Sequence, residues 1–243
     1  LLIFLYWVTN VRIGEAMSPG PMTWHLSTAN PTGLAGKAKS FDAISPGIVA
    51  VSETHLTPQG IAKFGKELHG TKSPFSLVHG HPAPYRTNAI KSHGGKQTGV
   101  GFLHMFQSSR LAYTHFWLDT TWIQGGVAYG LAHQSDSNST KELTDQLLSQ
   151  LTQQVVANQH GLAFVAGDWN QHFEDLREPR RWEAWGWKDV QQIAQEKWGI
   201  EPAMTCKHKS RKDFSFLSPM LQKYVTAVTN TWDQFCDHSI LTA

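Results

Sequence analysis

Polar side chains that can perform metal or phosphate chemistry follow several apolar segments of this 243-residue chain, at the point where each segment ends. In FVAGDWNQH, residues 164–172, an apolar run is followed by Asp168 and Asn170. Asp and Asn are also common turn residues, so each position taken alone has the simpler explanation that a strand stops there. The same transition from an apolar run to polar residues occurs repeatedly along the chain, which favours a catalytic or binding role over simple strand ends. The further positions are Asn30, Glu53, Asp213, Asp237 and His238.

The oxygen donors among these residues fit a divalent cation. Mg²⁺ prefers oxygen ligands and usually takes only one or two carboxylates. We expect Glu53 and Asp237 to be those carboxylates, and Asn30 to hold either the metal or a phosphate oxygen without adding charge. A phosphodiester repels nucleophiles through its own negative charge, so a cation that neutralises this charge lowers the barrier. The pattern therefore predicts Mg²⁺-dependent hydrolysis of a phosphate ester, with Mn²⁺ as an alternative ion.

His238 is the predicted general base of this reaction. A neutral imidazole accepts a proton best when its other nitrogen donates to a carboxylate, because the carboxylate fixes the tautomer and stabilises the imidazolium. Asp213 is the candidate for that carboxylate. Asp168 would position the attacking water or the leaving group, and Asn170 would hold a metal ligand or a phosphate oxygen. Each assignment competes with a structural interpretation, in which these groups only cap turns, helices or strand ends.

Three helices that would position these residues are predicted from apolar stripes and from residues typical of helix ends. The first covers 56–70, and the third covers 189–199. The second covers 139–161, where Ser139 and Glu142 form a capping box. The apolar stripe of the second helix contains Leu143, Leu147, Leu151 and Val155.

Apolar or alternating segments between the helices predict strands. Three consecutive segments are separated only by short breaks, which indicates neighbouring antiparallel strands. Mixed strand pairs with interspersed helices predict an α/β (α+β) fold, a four-layer sandwich of two packed mixed sheets flanked by helices. Trp182, Trp185 and Trp187 have a spacing that favours core packing over stacking on bases. The predicted strands are 23–29, 47–53, 98–106, 111–119, 122–133, 162–170, 213–218 and 237–243.

Length and composition fit one globular domain. The chain is 40% hydrophobic and 16% charged, and its ten Trp and twelve Phe residues need a substantial interior. A net charge of +2 gives only a mild bias toward polyanions, short of the strongly basic charge of a dedicated nucleic-acid binder. The apolar start LLIFLYWV is too short for a membrane span. We expect an N-terminal extension or fragment remnant at 1–22 and one domain at 23–243.

Seven short motifs resemble, in order, those of the endonuclease/exonuclease/phosphatase superfamily, whose members have a deoxyribonuclease-I-like fold. Any one motif is short, so the specificity of the resemblance lies in the ordered set. It extends over nearly the whole chain, from about residue 23 to residue 243. The motifs are TANPTGL (28–34), VSETHL (51–56), TGVGFLHM (98–105), VAYGLAH (127–133), VAGDWNQ (165–171), SRKDFSFLS (210–218) and CDHSILTA (236–243).

The resemblance assigns roles to the same polar residues. It implies that Asn30, Glu53 and Asp237 lie at the metal, that Asp168 and Asn170 contact the scissile phosphate and water, and that Asp213 orients His238. It also implies that Tyr129 reaches the phosphate, with a core tyrosine as the alternative. The first motif departs from the family pattern Trp-Asn-x-Asn-Gly, because Ala29 precedes Asn30 and Thr32 replaces the second Asn.

Within this superfamily the chain looks most like the endonuclease domains of non-LTR retrotransposon polyproteins. The segments TCKHKSRKDFSFLSP and WDQFCDHSIL carry this finer resemblance. It implies a monomeric domain of a longer polyprotein. Lys209 and Arg211, with Lys207 and Lys212 beside them, would face backbone phosphates or belong to a solvated loop.

The expected function is a Mg²⁺-dependent DNA endonuclease that leaves 5′-phosphate and 3′-hydroxyl ends, as the family does. Two alternatives remain open. One is the same fold acting on a phosphoinositide, sphingolipid or nucleotide, because a central site of this kind recognises only a phosphate ester. The other is a catalytically decayed fragment that binds nucleic acid. Cys206 and Cys236 are too few for a disulfide scaffold, which favours an intracellular setting, nuclear for a retroelement enzyme, and no membrane partner is expected.

Overall fold

The structure is a computed structural model that describes most of the chain from His25 onward. The predicted strand at 98–106 and the N-terminal extension at 1–22 lie outside the described residues. None of the helices in the described part has both the length and the hydrophobicity needed to cross a bilayer. The described ranges are 25–43, 47–56, 58–69, 110–118, 121–132, 137–158, 160–232, 235 and 237–243.

One sheet joins the beginning and the end of the described chain. Its strand order is β2-β1-β9-β8. Strands β1 and β2 are parallel, whereas β9 is antiparallel to both of its neighbours, β1 and β8. This pairing places the carboxyl ends of β1 and β2 beside the start of β9. The strands are β1 (His25–Ala29), β2 (Gly47–Val51), β8 (Thr229–Thr231) and β9 (Ile240–Thr242).

A second sheet is built from the middle of the chain, in the order β3-β4-β5-β7-β6. Strands β3 and β4 form the predicted antiparallel pair, β4 and β5 are parallel, and β7 is antiparallel to β5 and β6. Both sheets are therefore mixed, as predicted. The strands are β3 (Leu111–Leu118), β4 (Thr121–Ala128), β5 (Leu162–Asp168), β6 (Lys188–Asp189) and β7 (Asp213–Leu217).

Alternation along the strands divides the interior into layers, because successive side chains of a strand point to opposite faces. Phe164 and Ala166 of β5 pack with Leu26 and Ile48 of the first sheet. Their neighbours Ala163 and Val165 belong to a different cluster, which contains Leu148, Leu151 and the buried Trp182. The two sheets thus pack face to face with helices outside, which confirms the four-layer sandwich. Trp182 and Trp187 are fully buried, as the core interpretation predicted.

The helices that cover the sheets differ in part from the predicted ones. The second predicted helix begins at Ser137, so Ser139 lies inside its first turn instead of capping it. Leu143 is 44% exposed, and Leu148 takes its place in the core, so the predicted stripe was wrong at that position. The helix changes at Thr152 into a π-helical turn. The α-helices are α1 (Pro58–His69), α2 (Ser137–Leu151), α3 (Arg177–Ala184) and α4 (Val190–Trp198).

Candidate active site

The first sheet brings three of the predicted site residues to one edge. Parallel pairing aligns Ala29 of β1 with Val51 of β2, so Asn30 and Glu53 both emerge where these strands end. Strand β9 runs the opposite way, pairing Leu241 with Thr28, and His238 therefore arrives at the same edge just before β9 begins.

The second sheet supplies two carboxylates to the same place. Asp168 is the last residue of β5 and Asp213 is the first residue of β7, and antiparallel pairing sets them directly opposite each other. Both are almost completely buried, at 1% and 0% exposure. A buried acid needs hydrogen-bond or charge partners, and here the facing sheet provides the Asn30 amide and the His238 ring.

His238 and Asp213 form a buried pair. The Nδ1 atom of His238 lies 2.8 Å from Oδ2 of Asp213, and the imidazole is held where only 7% of the residue is exposed. Burial alone would lower the pKa of His238, but the hydrogen bond and charge of Asp213, helped by the charges of Asp168 and Glu53, raise it to about 9. The ring therefore holds a proton at neutral pH, and its neutral form, which can accept a proton from water, becomes more abundant as the pH rises toward 9.

Asp168 lies on the other side of the imidazole. Its Oδ2 accepts a hydrogen bond from Nδ2 of Asn30 at 2.7 Å and is 3.9 Å from Nε2 of His238. Its Oδ1 accepts from the backbone N–H of Asn170 at 2.9 Å. Burial and the neighbouring Asp213 charge raise the pKa of Asp168 to about 7. This carboxyl can therefore exchange a proton near neutral pH.

The amide of Asn30 has one orientation in this network. Its Oδ1 accepts from the backbone N–H of Thr32 at 2.9 Å, while Nδ2 faces Asp168 and lies 3.5 Å from Nε2 of His238. The reverse orientation would place an amide oxygen against a carboxylate. Asn30 is thus a hydrogen-bond donor toward the centre of the site, which suits a role in binding a phosphate oxygen.

Glu53 is a buried carboxylate that stays ionised. Burial opposes ionisation, but interactions with His55 and Asn30 and the nearby His238 charge outweigh it and lower the pKa of Glu53. Its Oε1 is 3.4 Å from Nε2 of His55. A charged, buried carboxylate beside an amide is a suitable start for a divalent cation site.

Two residues of the site have an unusual backbone conformation. Glu53 has φ 55° and Asn170 has φ 56°, in the left-handed region that residues other than glycine seldom adopt, although asparagine adopts it more readily than glutamate. For Glu53 the conformation is fixed by Gly33, whose N–H donates to the Glu53 carbonyl at 2.8 Å. Strained backbone concentrates at functional sites because the surrounding structure must hold a side chain in one direction.

Solved structures of other proteins share this architecture. An AP endonuclease from Archaeoglobus fulgidus matches with a TM-score of 0.58 and 13% identity, over 90% of this chain and 98% of that chain. The endonuclease domain of TRAS1, a telomere-specific non-LTR retrotransposon, matches with a TM-score of 0.55 and 10% identity. The match covers 90% of this chain and 97% of that chain. The 3′ phosphatase NExo from Neisseria, bound to a product DNA hairpin, matches with a TM-score of 0.57 and 14% identity. The match covers 91% of this chain and 98% of that chain. No protein-family model and no curated protein matches the sequence significantly.

This chain has the endonuclease/exonuclease/phosphatase fold. The fold predicted from the ordered motifs is thereby confirmed, although the sequence identities of 10–14% show only a distant similarity. In this fold the edge just described, where strand ends of both sheets meet, contains the predicted polar residues.

Tyr129 lies at the same edge of the endonuclease/exonuclease/phosphatase fold, buried at 2% exposure directly after β4. Burial and the charges of Asp168 and Glu53 raise the pKa of its phenol, so Tyr129 remains protonated and can donate a hydrogen bond. The guanidinium of Arg110 lies 5.0 Å from the Tyr129 ring centroid. Arg110 also donates to the Gly130 carbonyl at 2.9 Å.

Arg110 was missed by sequence reasoning. It stands directly before the apolar strand β3, and an isolated cation at a strand start has no distinguishing signal. The Gly130 carbonyl that it binds also accepts from Nδ2 of Asn170 at 3.2 Å. Arg110 thereby joins the start of β3 to the site turn after β4, a contact that only the tertiary structure reveals.

The basic residues near Asp213 differ in their surroundings. Lys209 is exposed at the tip of a tight turn that is closed by a backbone β-bridge between Cys206 and Ser210. Cys206 forms a second backbone β-bridge with His238. Arg211 instead forms an ion pair with the buried Asp189 and lies over a phenylalanine ring of β7. Its charge is already partnered inside the protein, whereas Lys209 faces solvent beside the site.

The donor atoms at the site fit two different assignments for a cation. Asp168, Asp213 and His238 each place one ligand atom within 4.8 Å of the others. However, the 2.8 Å contact between His238 and Asp213 engages their facing atoms with each other, which favours proton transfer over metal binding. Glu53 and the half-buried Asp237, which directly precedes His238, are oxygen donors outside that pair.

Proposed function

We propose that this chain is a Mg²⁺-dependent phosphodiesterase that cleaves DNA as an endonuclease, giving 5′-phosphate and 3′-hydroxyl ends. The observation that carries the proposal is the His238 imidazole, held by Asp213 on Nδ1 while Nε2 faces Asp168 and Asn30. A buried imidazole with one nitrogen fixed and the other directed at polar groups is arranged to remove a proton from water.

The proton transfer follows from this geometry. In the neutral form of His238, Nε2 takes a proton from water, the water oxygen attacks phosphorus, and the bond from phosphorus to the 3′ oxygen breaks. Asp213 stabilises the imidazolium that forms. Asp168, whose pKa is about 7, positions the water or protonates the leaving 3′ oxygen. Asn30, Asn170 and Tyr129 would donate hydrogen bonds to phosphate oxygens.

Glu53 and Asp237 would hold the cation, with Asn30 at its side. Bound Mg²⁺, or Mn²⁺ in its place, would neutralise charge that develops on the phosphate. The ionised state of Glu53 supports this assignment, because its pKa is lowered despite burial. For Asn30 the metal role would use Oδ1, which already accepts from Thr32, so phosphate binding through Nδ2 is the better supported of its two roles.

DNA as the substrate is supported by the structural neighbours and by the surface beside His238. The neighbours include AP endonucleases, the endonuclease domain of TRAS1 and NExo with a product DNA hairpin. Lys209 lies exposed next to the site and would contact backbone phosphates. We leave Arg211 out of these contacts because it pairs with Asp189. We further propose a monomeric domain of a longer polyprotein, acting in the nucleus.

Incubation with supercoiled plasmid and with phosphoinositide vesicles would test the substrate, each with Mg²⁺ and with chelator. We expect Mg²⁺-dependent nicking of the plasmid, products that a DNA ligase reseals because the ends are 5′-phosphate and 3′-hydroxyl, and no release of phosphate from the vesicles. Cleavage of the lipid alone would transfer the proposal to the lipid-directed alternative. Nicking that persists in chelator would contradict the role of the cation.

A further inference from the structure

We propose that His55 is a nitrogen ligand of the cation site, acting beside Glu53, and that it makes the site favour a transition-metal dication such as Mn²⁺ over Mg²⁺. The inference rests on the proposed function, because it concerns the same cation. None of the residue assignments made from the sequence included His55.

The geometry of the two side chains supports a shared ion. Nε2 of His55 lies 3.4 Å from Oε1 of Glu53. Two adjacent ligands of an octahedral ion, each at about 2.1 Å, are separated by roughly 3.0 Å. The observed separation therefore needs only a small adjustment to hold one ion between both atoms.

The Nε2 atom of His55 is buried and makes no hydrogen bond to any residue that the structure describes. Although the Glu53 carboxylate is near, the alignment does not meet hydrogen-bond geometry. Buried polar atoms nearly always have partners, and an exception calls for an explanation. A cation between Nε2 and Oε1 would supply the partner that Nε2 lacks.

The backbone holds both side chains in this arrangement. His55 has φ 54° and Glu53 has φ 55°, so two left-handed residues occur within one three-residue segment. The segment is anchored by Gly33 N–H on the Glu53 carbonyl and by Leu34 N–H on the Thr54 carbonyl. A Cβ on Gly33 would lie 3.3 Å from Nδ1 of His55, so the missing side chain leaves room for the ring.

An imidazole changes which cation the site selects. Mg²⁺ prefers oxygen ligands and gains little from nitrogen, whereas affinity for nitrogen ligands rises along the divalent transition metals from Mn²⁺ onward. The competing arrangement is a protonated His55 that only pairs with the Glu53 carboxylate. In that arrangement His55 would repel a cation instead of binding it.

Pulsed electron paramagnetic resonance of bound Mn²⁺ distinguishes these arrangements, because a directly coordinated imidazole gives a ¹⁴N modulation. We expect the modulation in the wild-type protein, its persistence in His238→Gln and His160→Gln, and its loss in His55→Gln. His160 is the matched control, exposed at the far end of β5 from Asp168. No modulation in the wild type, or a modulation unchanged in His55→Gln, would overturn the proposal.

Calorimetric titration provides the second measurement. We expect His55→Gln to weaken Mn²⁺ binding about ten- to hundredfold and Mg²⁺ binding much less. Substitution of residues that hydrogen-bond to metal ligands lowers metal affinity by a similar factor. Glu53→Gln should weaken the binding of both Mn²⁺ and Mg²⁺. Equal losses of both ions in the His55 variant would show a general effect on the site and contradict ligation. His55→Asn provides a second variant, because Asn tolerates positive φ well.

The two proposals can fail separately. If the plasmid is not nicked with any cation, the proposed function is wrong, whatever the Mn²⁺ spectrum shows. If Mg²⁺-dependent nicking occurs while bound Mn²⁺ shows no histidine nitrogen, the function stands and the role of His55 is wrong.

Discussion

At the scale of single residues, the site depends on one imidazole held between two buried carboxylates. His238 binds Asp213 through Nδ1 at 2.8 Å and faces Asp168 at 3.9 Å. Asn30 connects Asp168 to the first sheet, so loss of the amide would leave a buried carboxylate with fewer partners. The residues act as a unit, and each keeps another in position.

Replacing His238 by Ala should lower the rate of plasmid cleavage by about 10²- to 10⁴-fold, the usual contribution of a general base. The measurement is the nicking rate at saturating Mg²⁺, with circular dichroism to verify folding. His160→Ala is the control, because His160 is exposed at the opposite end of β5. A folded His238 variant that nicks at the wild-type rate would rule out the base assignment.

At the scale of elements, Asp189 connects the second sheet to helix α4. Its Oδ1 caps the helix by accepting from Gln191 N–H at 2.9 Å, and its Oδ2 accepts from Ser215 N–H of β7 at 2.9 Å. Arg211 balances its charge. Because β7 begins with Asp213, the buried Asp189 supports the strand from which the Asp213 carboxylate emerges.

Asp189→Ala should therefore lower the free energy of unfolding by about 2–4 kcal/mol, since a helix cap and a buried ion pair are lost together. Glu196→Ala is the matched control, because Glu196 pairs with Lys188 at the surface and such pairs contribute at most about 1 kcal/mol. Urea unfolding measures the free energy of unfolding of both variants. Equal effects of the two substitutions would contradict the role assigned to Asp189.

The elements themselves were largely predictable, and their ends were less so. The apolar segment at 162–170 and the alternating segment at 213–218 became β5 and β7, because short segments of these two patterns are typical of buried strands. Helix α2 was predicted too late at its start, and Leu143 was placed on the wrong face. Packing against the sheet, which selected Leu148 instead, decides a helix face when several leucines are close in sequence.

At the scale of the whole molecule, packing the two sheets together buries charges that respond to pH. In the unfolded chain a histidine titrates near its ordinary pKa of about 6.5. In the folded protein the pKa of His238 is raised to about 9. A raised folded pKa gives stability that is fully present below pH 6.5 and lost as the pH rises through 9. The raised pKa of Asp168 acts in the same direction up to about pH 7.

The unfolding temperature in chelator should consequently fall by several degrees between about pH 6.5 and pH 9, because a loss of about 1 kcal/mol lowers it by roughly 2–4 °C in a protein of this size. Thermal melts followed by circular dichroism at constant ionic strength would show this. In His238→Gln the fall should be smaller. An equal fall in the variant, or a rise in the wild type, would refute the linkage.

The sequence by itself determined which residues have the types needed for the chemistry, and in which order they follow the strands. Hydrophobic runs and polar ends are local features, so they are readable without coordinates. The ordered motifs also identified the fold correctly. The sequence did not identify Arg110 and His55 as site residues, because a lone cation or imidazole has no local pattern that separates it from a surface residue.

Only the tertiary structure decided which groups meet. Asn30 and Asp168 are 138 positions apart and Asp213 and His238 are 25 apart, yet both pairs are in hydrogen-bond contact. Strand pairing and the packing of two sheets create these contacts, and neither is encoded locally. The same packing gave Arg211 an internal partner and fixed the Asn30 amide. Charges and hydrogen bonds take their final roles from neighbours distant in sequence, because only folding removes the water that would otherwise separate them.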